Sequence, residues 1–223
     1  MSSLFLKIIS FLFKKEESQT VSEELQQRRE TLTIPSPRQF RYSQPLPKKA
    51  RKANWRAFEK IIQEQDINVL YHFTDRSNVD SIREYEGLYS WWYCEQENIP
   101  VPCPGGSATS HMLDRWKGLQ DYVRLAFCSN HPMLFICMRE RRIVEPIILE
   151  TSPEVIYWQE TLFSDVNAAD NSAVIGGGLD DFLQIDFDIA CSEDFLEDKA
   201  TRKRQQAEVL VKRHIPLTYI LNL

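Results

Sequence analysis

The order of apolar runs restricts the fold more than any other feature of the chain. Short β-prone runs follow one another over residues 122–127, 133–138 and 146–150, separated by turn residues. Two more extended runs close the chain, at 207–211 and 217–221. Upstream, Asn54 reads as the cap of a helix carrying Trp55, Phe58, Ile61 and Ile62 at helical spacing, and residues 68–74 read as a strand. Asp75 or Ser77 then caps a helix through Val79, Ile82 and Tyr85, which Gly87 ends in the left-handed conformation; residues 88–93 read as extended. Ser152-Pro153-Glu154 opens a helical turn, and a helix is expected near 179–187. Strands and helices are mixed without βα alternation, so the fold class is α+β, not doubly wound.

With 223 residues, 43% hydrophobic and 26% charged, the chain has enough apolar material for one full domain plus an extension. Residues 1–50 read as that extension and 51–223 as the folded domain. Residues 3–13 are apolar but interrupted by Lys7 and followed by Lys14-Lys15-Glu16-Glu17, with no small-residue cleavage site. The run is too short to span a bilayer. It leaves three readings: a helix docked on the protein's own body, a partner-binding helix, or a membrane-surface anchor. Residues 16–47 are polar and punctuated by Pro35, Pro37, Pro45 and Pro47, so they read as a linker with one short polar helix at 21–29. Cys94, Cys103, Cys128, Cys137 and Cys191 form no CxxC pair and no Cys/His cluster. They read as free thiols of a cytoplasmic protein with no disulfide framework and no metal site.

The net charge of −5 does not announce a nucleic-acid binder. Local basic segments, at 48–56 and at Arg202-Lys203-Arg204 with Lys212 and Arg213, are offset by an acidic stretch at 180–198, so composition leaves that question open. No phosphate-cradling loop is present. Gly176-Gly177-Gly178 has neither a leading strand nor a spaced third glycine, so it is no dinucleotide fingerprint.

Three segments have the composition of a site. In Tyr71-His72-Phe73-Thr74, alternation puts His72 and Thr74 on one strand face, which suits either a ligand cleft or a solvent-facing histidine. Arg115 falls in a loop, where a guanidinium can grip phosphates or simply meet solvent, and Arg124 lies mid-strand with the same two options. Glu208 opens the apolar run Ala207-Glu208-Val209-Leu210-Val211, preceded by Gln206. A carboxylate there is desolvated unless paired, or else it points outward from an edge strand.

In this order the segments resemble the DarT family, ADP-ribosyltransferase toxins that modify single-stranded DNA. The matching pieces are Tyr71-His72-Phe73-Thr74 with Asn78 and Ile82, Asp121-Tyr122-Val123 through Pro132-Met133, the segment 163–169, and Gln206 through Val211. The resemblance implies a small mixed β-sheet core of the ADP-ribosyltransferase type with peripheral helices, and NAD as co-substrate. It implies Glu208 as the catalytic carboxylate and Arg115 as the arginine that holds the pyrophosphate. By the same resemblance His72 and Thr74 hold the nicotinamide-ribose and amide end, with Asn78 nearby, and Tyr122 and Phe127 line the nicotinamide side. Arg202, Lys203 and Arg204 would approach the acceptor's phosphates in single-stranded DNA or, alternatively, RNA. A toxin of this kind implies an antitoxin partner, of macrodomain type or another, engaged through the N-terminal segment or elsewhere. The chain departs from the family at Arg124-Leu125, where many relatives have a Pro-aromatic pattern, and in the Pro- and Gly-rich loop 98–110. A catalytically inactive binding module is the remaining alternative, and retention of His72 and Glu208 speaks against it.

Overall fold

The computed structural model describes residues 49–194 and 196–223. The apolar segment at 3–13, the linker and the polar helix at 21–29 lie outside the described residues.

In chain order the elements are α1 (Trp55–Glu64), β1 (Leu70–Asp75), a 3-10 turn (Arg76–Asn78), α2 (Val79–Glu84), β2 (Gly87–Tyr89), α3 (Trp91–Glu97), α4 (Ala108–Trp116) and β3 (Tyr122–Ala126). There follow α5 (Pro132–Arg139), β4 (Pro146–Thr151), a 3-10 turn (Pro153–Tyr157), β5 (Leu162–Ser164), β6 (Ile175–Gly176), α6 (Leu179–Phe182), α7 (Phe187–Ala190), α8 (Lys199–Arg204), β7 (Glu208–Lys212), β8 (His214–Pro216) and a last 3-10 turn (Leu217–Tyr219). Six strands form one sheet in the order β4-β1-β3-β7-β5-β6, and β2 pairs β8 in a second. All the pairings are antiparallel. This is the α+β class expected from the absence of βα alternation.

The core lies on the sheet face carrying Val123, Leu125, Val209, Val211 and Phe163. Helix α1 buries Phe58 and Ile62 against it, while Trp55 and Ile61 pack at its edge. Phe58, Phe163, Phe182 and Phe187 meet in sequence in tilted and edge-on contacts, with centroids 5.6, 4.6 and 5.1 Å apart. Such aromatic contacts add roughly 0.5–1.5 kcal/mol each beyond the area they bury.

Several local expectations are corrected. Residues 133–138 are helical: His131 accepts the Met133 N–H at 3.2 Å and Pro132 occupies the first turn, so cap chemistry overrides the β-prone composition. Residues 88–93 divide at Ser90, whose hydroxyl caps α3 by accepting from Tyr93 N–H. The left-handed residue after α2 is Glu86 (φ 57°), not Gly87. Gly87 is needed for close approach instead, since a Cβ there would lie 2.6 Å from the Ile215 carbonyl oxygen across the β2–β8 ladder. Within 217–221 the chain makes a 3-10 turn (Leu217–Tyr219) and a single bridge from Ile220 to Thr151 rather than a strand, and the helix expected at 179–187 is the two short helices α6 and α7.

Asp75 ends β1 and fastens the start of β4. Its carboxylate accepts from Ser77 N–H (2.9 Å), Ser77 Oγ (2.7 Å), Val144 N–H (2.8 Å) and Glu145 N–H (2.9 Å) while only 3% exposed. Burial pushes its pKa up, but the bonds from Glu145, Ser77 and Val144 outweigh that and hold it below the ordinary value. A carboxylate lowered in the fold contributes stability that is present above its unfolded pKa and lost as pH falls through the folded one. Asp75→Ala is therefore expected to cost about 3 kcal/mol in urea unfolding at neutral pH. The gap from the parent should narrow in acid; an equal deficit at all pH values would show that the charge is not what matters.

Candidate active site

A cleft of about 320 Å³ opens beside the sheet. It begins where two strands part: β1 pairs β4 along its whole length but meets β3 at the single register Tyr71↔Ala126. Beyond it the strands carry cleft-lining residues on both sides of the split, His72 and Thr74 on β1, Tyr122 and Arg124 on β3. His72 bridges the gap, with Nδ1 2.9 Å from the Arg124 carbonyl oxygen. Nδ1 must donate there, which leaves Nε2 of the neutral ring as an acceptor. Burial pushes the His72 pKa down, against the raising effect of the Arg124 carbonyl, and keeps the ring neutral near pH 7.

Glu208, the first residue of β7, lies between Ala126 and Ser164 on the neighbouring strands and lines the cleft while 6% exposed. It is not the solvent-facing edge glutamate that local pattern left open, because β7 is paired on both sides. Its Oε2 accepts from the Arg124 guanidinium at 2.5 Å and from Ala168 N–H at 2.8 Å. Arg124 faces Leu210, so Glu208 is its diagonal cross-strand neighbour, within reach of a long side chain. The other arm of the same guanidinium binds the Asp114 carboxylate on α4. One half-buried cation thus serves two carboxylates, so this cluster of three side chains is net negative. Burial pushes the Glu208 pKa up, while Arg124 and the Ala168 N–H oppose the rise.

The loop that supplies Ala168 is itself clamped. Lys117 donates to the carbonyls of Ala168 (2.8 Å) and Asp170 (2.5 Å), and Lys203 binds Asp170 (2.9 Å) and Ser172 (2.7 Å). The opposite wall is held by Asn78, buried, which donates to Thr74 Oγ1 (2.9 Å) and the Cys103 carbonyl (2.8 Å) and accepts from Cys103 N–H (2.9 Å). Asn78 positions Thr74 and the loop through Cys103; its own amide is used internally.

The structure brings Glu208, His72, Thr74, Asn78, Tyr122 and Arg115 to one cleft. Arg115 sits on α4 rather than in a loop, because Ser107 and Ser110 form a capping box that starts a helix inside the Pro- and Gly-rich stretch. Its side chain is 60% exposed and pairs with Glu95 at 3.5 Å, so it lies at the mouth while Arg124 occupies the interior. Phe127, expected at the nicotinamide side, faces the core in step with Val123 and Leu125, 5.8 Å from Phe187. Arg202, Lys203 and Arg204 lie in the last turn of helix α8. Arg202 donates to the carbonyls of Leu196 and Glu197, and Arg204 pairs with Asp186 at 2.7 Å. The residues that sequence reasoning passed over are Asp114 and His111 on α4 and Trp91 on α3, together with the pairing of Arg124 to Glu208. Their only signal was a polar cluster around Arg115. Among the described residues no group of three or more His, Cys, Asp or Glu side chains is arranged to hold a metal ion.

An antiparallel sheet split by a cleft, with a buried carboxylate on a central strand and a neutral histidine across from it, suits transfer of a nucleotide-sugar group without a dinucleotide fold. The family model described as "ssDNA thymidine ADP-ribosyltransferase, DarT" matches residues 71–223, and the chain belongs to that family. It is therefore an enzyme that takes ADP-ribose from NAD and transfers it to single-stranded DNA. Three solved structures share the fold. Thermus sp. 2.9 DarT in complex with ADP-ribosylated ssDNA is 20% identical, over 70% of this chain and 79% of that one, at a TM-score of 0.56. The same protein in complex with NAD+ is 21% identical over 70% and 80%, at 0.52. Thermosipho africanus DarTG in complex with ADP-ribose is 22% identical over 69% of this chain and 42% of that one, at 0.56. No curated protein matches the chain.

Proposed function

We propose that Glu208 is the catalytic carboxylate of a transferase that moves ADP-ribose from NAD to a thymine base in single-stranded DNA. The carrying observation is the Glu208 carboxylate on the cleft wall, with Oε2 held by Arg124 and Ala168 and the residue open to a ligand in the cleft. Breaking the nicotinamide–ribose bond builds positive charge on the ribose carbon, and a fixed anion in a water-poor site stabilises it. The second carboxylate oxygen is free to accept from a ribose hydroxyl. His72, through Nε2, and Thr74 hold the nicotinamide-ribose end, Tyr122 forms part of the wall, and Arg115 at the mouth meets the pyrophosphate.

Arg202, Lys203 and Arg204 lead directly into Glu208, and Lys203 is tied to the loop that carries Ala168. Ion pairs as exposed as those of Lys203 and Arg204 contribute at most about 1 kcal/mol, so acceptor phosphates can exchange for Asp170 and Asp186. The enzyme acts in the cytoplasm as the toxin of a toxin–antitoxin pair, restrained by an antitoxin of macrodomain or other type. That reading is supported by the family and by the fold shared with a DarTG protein. Among the described residues no helix is long and apolar enough to cross a membrane.

The test is incubation of the full chain with NAD and matched single-stranded oligonucleotides, followed by mass measurement. An ADP-ribosyl mass increase is expected on thymidine-containing DNA and not on the thymidine-free or RNA counterparts. Labelling of RNA alone, or of DNA regardless of thymidine, would overturn the proposed acceptor.

A further inference from the structure

We propose that His111 is the general base that takes the imide proton from the acceptor thymine, a role distinct from that of Glu208. The inference rests on the reading of the chain as a thymidine transferase and assigns the second half of that reaction.

The need arises from the acceptor. A thymine base carries one N–H, on the imide nitrogen, and that nitrogen is a poor nucleophile while protonated. As the N–H bond breaks, its electron pair forms the new bond to the ribose carbon. The bond from that carbon to nicotinamide breaks, and its pair leaves on the nicotinamide ring, which departs neutral. The proton must go to a group in the cleft and then to solvent. Glu208 is poorly placed to receive it: Oε2 is engaged twice, and the anion is needed at the ribose.

His111 lies on α4 and lines the same cleft. Its ring stacks on Trp91, with centroids 5.0 Å apart and planes 21° from parallel. It also lies against Gly106, where a Cβ would come 2.4 Å from the ring Cε1, so only glycine leaves it that room. The ring is thereby fixed in orientation by packing, while no described residue hydrogen-bonds to either of its nitrogens. Three residues along the same helix, Asp114 holds the Arg124 guanidinium that holds Glu208. His111 and the catalytic carboxylate therefore belong to one rigid assembly, as pairing a base with a positioned anion requires.

The charges facing the ring are Asp114 and Arg115 on its own helix, Glu95 on α3 and Arg124 on β3. Burial lowers its pKa most, the two carboxylates raise it and the two guanidiniums lower it, for a net value below that of an ordinary histidine. The ring is neutral, and so able to accept a proton, throughout the neutral range.

The test uses His111→Gln and His111→Phe in the full chain, with NAD and a thymidine-containing single-stranded oligonucleotide, across a pH series. Transfer is expected to fall about 100-fold at pH 7 in both. The deficit should shrink as pH rises and the thymine imide ionises by itself. A structural role would give a deficit of the same size at every pH, and a pure stacking role would leave His111→Phe active; either result overturns the proposal. Because the readout is the pH dependence within one variant, a reduced folded fraction cannot imitate it. If the parent chain does not label thymidine DNA at all, the transferase reading fails, and this assignment with it.

Discussion

Glu208→Gln is expected to lower ADP-ribosyl transfer by at least about 1000-fold, corresponding to about 4 kcal/mol of lost transition-state stabilisation, while leaving the protein as stable as the parent or more so. Glutamine has the same shape and its amide oxygen can still accept from Arg124 and Ala168 N–H, so the cleft keeps its geometry. Only the charge is lost, and the charge is what opposes the positive centre at the ribose. Stability runs the other way. Burial raises the Glu208 pKa, so between the ordinary glutamate value and the raised one the folded state binds more protons than the unfolded state. Stability conferred by Glu208 is thus fully present below the unfolded pKa and is lost as pH rises through the folded one. The substitution removes that cost at neutral pH, and the remaining Arg124–Asp114 pair is neutral overall. The checks are single-turnover labelling of a DNA oligonucleotide and a thermal melt of the same samples. Activity within tenfold of the parent would take Glu208 out of the chemistry. In the parent, activity should fall in acid as Glu208 gains its proton.

How much of this was legible beforehand depends on the range of the interaction. Helix α1 and strand β1 are declared by periodicity, and Ser152-Pro153 by cap chemistry, because these are local effects. The apolar run at 133–138 has strand composition, and the decision lies in the two residues before it, His131 and Pro132. Helix α4 starts from a pair of serines in a stretch whose prolines and glycines suggest loop, so local composition points to a loop at Arg115 where the structure has a helix. Strands β5 and β6, three and two residues long, are too short to leave a pattern and exist because β7 and then β5 offer them an edge. Glu208 stood out because a charge in an apolar strand is conspicuous anywhere. Its partner did not. Arg124 is 84 residues away in the chain, and the contact depends on the register of β3 against β7, which no spacing encodes. Phe127 packs in the core for a related reason: which face of β3 meets the cleft is decided by the neighbouring strands.

That same register yields the other large effect. Removing the guanidinium by Arg124→Met leaves Glu208 and Asp114 near each other in a site where their side chains are 8% and 15% exposed. Breaking a buried pair by deleting one partner strands the other charge, and here it strands two; a stability loss of about 3 kcal/mol is expected at neutral pH. The protein's relief is to bind a proton between the two carboxylates. The Glu208 pKa, already raised by burial, loses its main opposing influence and moves higher. Activity should therefore fall sharply near neutrality and recover in part as pH rises and Glu208 ionises, a shift of the acidic limb in the direction opposite to simple unfolding. Stability shows the complementary sign, the deficit shrinking in acid as the stranded carboxylates are neutralised. Arg124→Lys retains a charge but not the fork that reaches Glu208 with one arm and Asp114 with the other, so it should hold one carboxylate at a time and fall between parent and Met variant. Adding Asp114→Asn to Arg124→Met should restore much of the stability, since only one stranded carboxylate, Glu208, then remains; the two substitutions would be strongly non-additive in a denaturation cycle. Additive losses, together with an unshifted pH–rate profile, would mean that Arg124 merely fills space beside Glu208 and does not set its charge.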